Sequence, residues 1–278
     1  MKTIAKSLFE HYQQNLNAFR AHPRVRVPQE LERDDIVVCP ICLKYWYTLN
    51  AINTKQLTVE HAPPHGLQGE KVALTCQSCN NIAGSQLDSF LIAYIRELDA
   101  RSPSSENTSV HQPKPTKKHE FTLTLTNTRH KKAHYSLLRS AYVLAFAQLG
   151  YGYLWNPNLD KVRLQFQQPQ EELFPVQAVQ MVDVQHIPDR FLGINIISHP
   201  AKAKCFYVVF DVALKHAAPH RVGVMLPGPN PHDFDWFDHL KHASHEHLKL
   251  KLAHCDIAPD DKLKDPLLAY KLMDDFSG

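Results

Sequence analysis

Two pairs of closely spaced cysteines constrain this chain more than any other feature of its sequence. The pairs are Cys39-Pro-Ile-Cys42 and Cys76-Gln-Ser-Cys79. A C-x-x-C turn lets both sulfurs reach one tetrahedral zinc at about 2.3 Å, and two such turns complete a four-thiolate site. Because four thiolates leave no open position for water or substrate, we expect this zinc to be structural. An iron or redox role is the alternative.

The composition is that of an ordinary globular protein. The chain has 278 residues, of which 44% are hydrophobic and 21% charged, so it can bury a core and is too apolar to be disordered. This length favours two domains. The formal net charge is only +3, from 31 Lys and Arg against 28 Asp and Glu. That excess is too small to indicate a polyanionic partner, so a nucleic-acid function must rest on a site.

We expect neither a membrane-spanning segment nor a secretory signal from the sequence. No stretch approaches 18 uninterrupted apolar residues, and Glu10 and His11 lie where a signal peptide needs an apolar run. We therefore expect no membrane association and a cytoplasmic location. The two remaining cysteines, Cys205 and Cys255, lie far apart and are expected to be reduced thiols.

Hydrophobic periodicity predicts the elements of the first 100 residues. Apolar spacings of three and four predict an amphipathic helix over 3–21. Short strands are expected at IVVCPIC, at 56–60 and at KVALTC, two of them running into a cysteine pair. Beyond Asn80 the apolar period becomes helical, which predicts a helix of about four turns.

A polar segment over 101–120, rich in Pro, Ser, Asn and Lys, predicts an exposed linker. After it we expect an FTLTLT strand, a helix from Lys132 to Leu149 that Gly150 closes, and a polar helix near 232–247. Further β-like runs are KVRLQF, FLGINIISH, CFYVVFDVAL and RVGVML. The predicted divisions are therefore an N-terminal helix (1–30), a cysteine-bearing domain (31–100), the linker (101–120) and an α+β domain (121–278).

The segments beside the cysteines carry a recognisable pattern. TVEHAPPHGL (58–67) lies between the pairs, and NNIAGSQLD (80–88) follows the second pair. With the cysteines, they resemble the ββα-metal finger of the HNH endonucleases, in the branch that has C-x-x-C, E-H-x-x-P and C-x-x-C-N. The resemblance covers about residues 37–92. It implies an α+β fold class in which a ββα-metal HNH finger on a four-cysteine zinc site precedes a separate α+β domain.

The resemblance also implies roles for three residues. His61 would be the general base that activates water. Glu60 and Asn80 would bind a catalytic Mg²⁺ or Mn²⁺ through a carboxylate and an amide oxygen, which hard cations prefer. Glu60 could share such a site if its strand ends in a bulge or turn.

Three neighbouring residues have roles that the sequence leaves open. Asn81 is the alternative to Asn80 in register. His65 either contacts phosphate or ends the Pro-Pro turn, and Asp88 either reaches the metal or packs. The family's middle Asn falls at Lys71, so the loop that it would brace must be held otherwise.

Two clusters outside this region have alternative interpretations. Histidines at spacings of about three could bind zinc or form a polar helix face: His232, His239, His242, His245 and His247. A basic cluster could contact phosphate or be solvated: Lys117, Lys118, Arg129, Lys131 and Lys132.

The leading functional expectation is a metal-dependent HNH endonuclease that hydrolyses DNA, in a setting such as a bacterial restriction or phage-defence effector. Its second domain would select substrate, sense a signal or form a homo-oligomer, or bind a partner protein of the defence system. A zinc-ribbon module that binds nucleic acid without cutting it is one alternative. An RNA-cleaving toxin is another, since the same chemistry acts on the phosphate of both polymers.

The linker prediction is testable by limited proteolysis. If 101–120 is exposed and unstructured, trypsin should cut first beside Lys117 or Lys118 and release two compact fragments. A protease-resistant linker would instead mean that the two parts form one packed body.

Overall fold

The structure is a computed structural model that describes most of the chain. The described residues are 3–29, 33–101, 120–123, 130–182, 187–230, 232–242 and 248–275. Within these segments, no helix is both long and apolar enough to cross a bilayer.

The described part of the chain contains helices and antiparallel strands throughout. The helices are α1 (Ile4–Ala21), α2 (Asn50–Asn53), α3 (Gln77–Ala83), α4 (Ser89–Arg101), α5 (Lys131–Leu149), α6 (Tyr151–Leu154), α7 (Asn158–Gln167), α8 (Asp235–His242), α9 (Asp261–Lys264) and α10 (Leu268–Asp275). The strands are β1 (Ile36–Val38), β2 (Trp46–Thr48), β3 (Leu57–Ala62), β4 (Glu70–Cys76), β5 (Glu120–Leu123), β6 (Val179–Val182), β7 (Gly193–His199), β8 (Cys205–Val212), β9 (His220–Pro227) and β10 (Leu248–His254). The expected mixture of α and β structure is confirmed.

Helix α1 forms where the apolar spacing predicted it. Its buried stripe includes Phe9, Tyr12, Leu16 and Phe19. The Thr3 hydroxyl accepts a hydrogen bond from the Lys6 amide at 3.3 Å, as a helix N-cap does. Because the stripe packs on β1, β4 and α9, α1 contacts both early and late segments of the chain.

Two antiparallel hairpins carry the cysteine region. Strands β1 and β2 form the first hairpin, and β3 and β4 form the second. Strand β4 leads directly into α3, which continues through a π-helical turn at Gly84–Asp88 into α4. The second hairpin and this long helix thus follow one another as β, β and α.

The later segment contains a six-stranded antiparallel sheet, in the order β5-β10-β7-β8-β9-β6. Helix α5 packs against four of these strands and also against β3, β4 and α4. Most of its residues are buried, including its polar residues His134, Ser136, Arg139 and Ser140. One helix therefore contacts both the cysteine region and the large sheet.

One sequence-based prediction about elements was wrong, and a second was right only in part. KVRLQF lies in α7, because Leu159, Val162 and Phe166 form one buried stripe at helical spacing. A helix forms within the segment near 232–247, as predicted, but α8 is amphipathic and not polar, because it buries Trp236, Phe237 and Leu240. The rest of that segment, 243–247, lies outside the described residues.

The contacts of α5 and α6 bear on the predicted domain division. The Tyr142 hydroxyl donates to the Pro40 carbonyl at 2.6 Å, and the Tyr151 hydroxyl donates to the Val38 carbonyl at 2.7 Å. Residues of the cysteine region and of the later segment thus share one buried core. Most of the predicted linker, 102–119, lies outside the described residues, and separate folding of the two parts stays a prediction.

Acid should weaken the fold through His134. Burial lowers the pKa of this side chain to about 4 from 6.5. Below about pH 6.5 the His134 imidazole is protonated in the unfolded chain but stays neutral in the folded chain. The free energy of unfolding therefore decreases as the pH falls towards about 4. The full shift corresponds to roughly 3 kcal/mol.

We expect His134→Phe to reduce this acid-dependent loss relative to the wild type, in urea unfolding measured at about pH 7 and about pH 4.5. The matched control is His232→Phe, since the His232 side chain is 92% exposed. An equal acid loss in the wild type and His134→Phe would contradict the prediction.

Candidate functional site

The four cysteines of the two C-x-x-C pairs come together at the junction of β1, β4 and α3. Their sulfur atoms all lie within 4.8 Å of one another. Ligands at about 2.3 Å from a tetrahedral zinc are about 3.8 Å apart, so a small closure of the cluster would hold the ion. The residues present therefore fit a four-thiolate zinc site.

Backbone geometry builds both cysteine turns. In the first, Leu43 has a left-handed φ of +50° and its amide donates to the Cys39 carbonyl at 3.0 Å. The second lies at the start of α3, where the Cys76 sulfur accepts from the Cys79 amide at 3.5 Å. Hydrogen bonding from Cys39 lowers the pKa of the Cys42 thiol to about 7. This favours the thiolate form that binds zinc.

His61 lies at an irregularity of the second hairpin. The pairing register of β3 with β4 shifts between Glu60 and His61, as at a β-bulge, and His61 lies opposite Lys71. The His61 and His65 rings are perpendicular, with centroids 5.0 Å apart. Burial, together with the charges of His65 and Lys71, lowers the pKa of His61. The imidazole is therefore neutral near pH 7 and can accept a proton.

One nitrogen of His61 lacks a partner. Its Nε2 atom is buried and receives or donates no hydrogen bond within the described part of the chain. A buried polar atom of this kind needs an explanation, such as water, an ion or a ligand. The bulge thus presents a neutral imidazole with an unused nitrogen.

Glu60, the residue before His61, is buried in an ion pair. Arg139 of α5 donates from Nη1 to Glu60 Oε1 at 2.6 Å and from Nη2 to Oε2 at 2.8 Å. The Thr75 hydroxyl also donates to Oε2, at 2.9 Å. The side chains of Glu60 and Arg139 are only 3% and 4% exposed. Loss of one partner would leave a buried unpaired charge, which costs about 3–5 kcal/mol.

Asn80 lies in the first turn of α3, close to β3. Its Nδ2 donates to the Thr58 hydroxyl at 3.1 Å, and Asn81 beside it is exposed. Asp88, at the end of the π-helical turn, accepts from the Ser136 hydroxyl at 2.7 Å. Burial raises the pKa of Asp88. Asp88 therefore packs against α5 by a hydrogen bond.

These contacts do not fit the catalytic Mg²⁺ or Mn²⁺ that the resemblance implies. Both oxygens of Glu60 are engaged, and Asn80 offers a single amide oxygen. Across the described segments, the four cysteines are the one group of three or more His, Cys, Asp or Glu residues placed to hold a metal. The ligand roles of Glu60 and Asn80 stay predictions.

Sequence reasoning did not identify Arg139. The available signal was an arginine within the predicted inward face of α5, beside Leu138, Ala141 and Tyr142. A guanidinium at such a position needs a buried acceptor. The sequence alone does not say which carboxylate supplies it.

The structure describes only some residues of the histidine cluster and of the basic cluster that the sequence indicated. His232 lies 3.8 Å from Asp235, whereas His245 and His247 fall outside the described residues. Lys131 pairs with Glu172, and the Lys132 ammonium lies 4.5 Å from the Phe90 ring centroid. The other basic residues of that cluster, Lys117, Lys118 and Arg129, also fall outside the described residues.

Comparison with protein-family models, with curated proteins and with solved structures finds no match for this chain. The HNH resemblance therefore rests on the motif residues alone.

The zinc assignment predicts a measurable metal content. The wild type should contain about one zinc per chain, and Cys39→Ser or Cys76→Ser should lose it and unfold the cysteine region, because structural zinc supplies folding energy. Metal content by mass spectrometry and thermal unfolding measure both effects. Cys205→Ser is the control, since Cys205 is a buried cysteine outside the cluster. A metal-free wild type of unchanged stability would contradict the assignment.

Proposed function

We propose that this chain is an HNH-type endonuclease that hydrolyses phosphodiester bonds at His61. The observation that carries the proposal is the neutral imidazole at the register shift between β3 and β4, with a buried nitrogen that has no partner among the described residues. The four-cysteine site supports the proposal, because the cysteines connect the β3–β4 hairpin to the helix that follows it.

The charges around His61 suit a phosphate. Lys71 lies opposite His61 on β4, and its side chain is exposed. His65 is also exposed and contacts the His61 ring. A cation and an imidazole beside a general base would attract the backbone of a nucleic acid without reading its sequence.

The proposed chemistry is a hydrolysis. The His61 imidazole takes a proton from water, the resulting hydroxide attacks phosphorus, and the bond from phosphorus to the 3′ oxygen breaks. The departing 3′ oxygen takes a proton from a solvent water, and the His61 imidazolium returns its proton to solvent. Because Glu60 is engaged by Arg139 and Thr75, we assign no step to Mg²⁺ or Mn²⁺. We propose DNA as the substrate and a restriction or phage-defence effector as the setting.

One observation favours a second candidate, a zinc-ribbon module that binds nucleic acid without cutting it. The same engagement of Glu60 removes the carboxylate that the family resemblance assigns to catalysis. An RNA-cleaving activity differs from the leading proposal only in its substrate, so the same assay separates the two.

The central test is cleavage of supercoiled plasmid and of RNA by the purified full chain, with Mg²⁺, Mn²⁺ or EDTA. We expect His61→Ala to keep its fold, zinc and nucleic-acid binding while losing about 10²–10⁴ in cleavage rate, the range typical of a missing general base. Added metal should not rescue it.

Two variants serve as comparisons. His199→Ala removes an exposed histidine of β7 and should cleave like the wild type. Asn80→Ala should respond to added Mn²⁺ if Asn80 is a ligand, whereas His61→Ala should not. A wild type that binds nucleic acid but never cuts it with any metal would support the binding module instead.

A further inference from the structure

We infer that Arg139 is a positioning residue of the His61 centre and that Glu60 is its buried anchor, not a ligand of a catalytic cation. The inference deepens the proposed function of the same site and rests on that function for its catalytic meaning. The inference rests on the ion pair between Arg139 of α5 and Glu60 beside the register shift.

The carboxylate of Glu60 has little capacity left for a metal. A carboxylate offers about four lone-pair positions, and two guanidinium hydrogens and the Thr75 hydroxyl occupy three of them. A cation at the one remaining position, on Oε1, would lie beside the buried guanidinium of Arg139, whose positive charge would repel it. This repulsion opposes metal binding at Glu60.

The same ion pair fixes the backbone next to His61. Glu60 and His61 are consecutive, and the register shift lies between them. A bidentate pair holds both the direction and the distance of its carboxylate. Arg139 therefore holds the residue on one side of the bulge, while the imidazole lies on the other.

Arg139 is itself held on a firmly packed helix. On α5, Ser136 donates to Asp88 and Tyr142 donates to the Pro40 carbonyl, so contacts on both sides of Arg139 fix the helix against the cysteine region. A displacement of about 1 Å at such a support can lower a reaction rate about a hundredfold.

The first arm of the experiment compares Arg139→Lys with Arg221→Lys in the full chain. Lysine keeps a buried positive charge but cannot form the bidentate pair. Arg221 is the matched control, because it also pairs with both oxygens of a carboxylate, Asp211, in the large sheet. We expect Arg139→Lys to lower kcat about tenfold to a hundredfold with KM unchanged. Arg221→Lys should leave both constants unchanged.

The second arm needs no cleavage. Imidazole NMR signals of His61, assigned with His61→Gln, should shift in folded Arg139→Lys and not in Arg221→Lys. If Arg139→Lys does not fold, Glu60→Gln/Arg139→Gln replaces it, since two amides can hydrogen-bond to each other and to Thr75. In that variant the His61 signals should also shift.

The third arm tests the ligand role of Glu60. Mn²⁺ binding, followed by broadening of the His61 signals, should be as strong in Glu60→Gln/Arg139→Gln as in the wild type. A wild type that binds no Mn²⁺ supports the inference equally. An affinity about tenfold weaker in the double variant would overturn it, as would unshifted His61 signals in folded Arg139→Lys.

These arms separate the two proposals. If the wild type cuts no nucleic acid, the proposed function fails while the NMR and Mn²⁺ measurements still decide the inference. If the wild type cuts and folded Arg139→Lys retains its kcat, the inference fails and the proposed function stands.

Discussion

The burial of helix α5 is the constraint on which the rest of the structure depends. On a helix that is buried on nearly all sides, each polar group costs free energy unless it finds a hydrogen-bond or ion-pair partner. Arg139 forms an ion pair with Glu60, and Ser136 and Tyr142 donate hydrogen bonds to Asp88 and to the Pro40 carbonyl. These contacts bind the later segment of the chain to the cysteine region with a definite orientation, which apolar packing alone would specify less narrowly.

The cysteine cluster stabilises the two short hairpins of the cysteine region. The two hairpins have only three to seven residues per strand, and short hairpins are marginally stable by themselves. A metal ion at the four sulfurs would join β1 to the end of β4 and the start of α3. That connection and the contact with α5 support the β3–β4 hairpin from opposite directions, and the bulge lies between them.

Local patterns in the sequence predicted many of the elements and the cysteine site. Contacts between residues far apart in the sequence could not be predicted in this way. The C-x-x-C spacing indicated one metal site because both ends of each pair are close in sequence. The apolar stripes predicted α1 and α5 for the same reason. The ion pair between Glu60 and Arg139 could not be predicted from local patterns, because the two residues are 79 positions apart in the sequence. KVRLQF was misassigned because a short apolar run fits both periods.

The register shift between Glu60 and His61 has a consequence for how the hairpin tolerates change in length. Glu60 pairs with Ala73 and the next residue, His61, pairs with Lys71, so Val72 of β4 is the extra residue of the bulge. Deletion of Val72 would leave one residue of β4 for each residue of β3 and so remove the bulge. Deletion of a residue from β3 would instead shift its register and turn the side chains that follow to the other face of the hairpin. The geometry beside His61 therefore depends on the number of residues in β4 as well as on their identity.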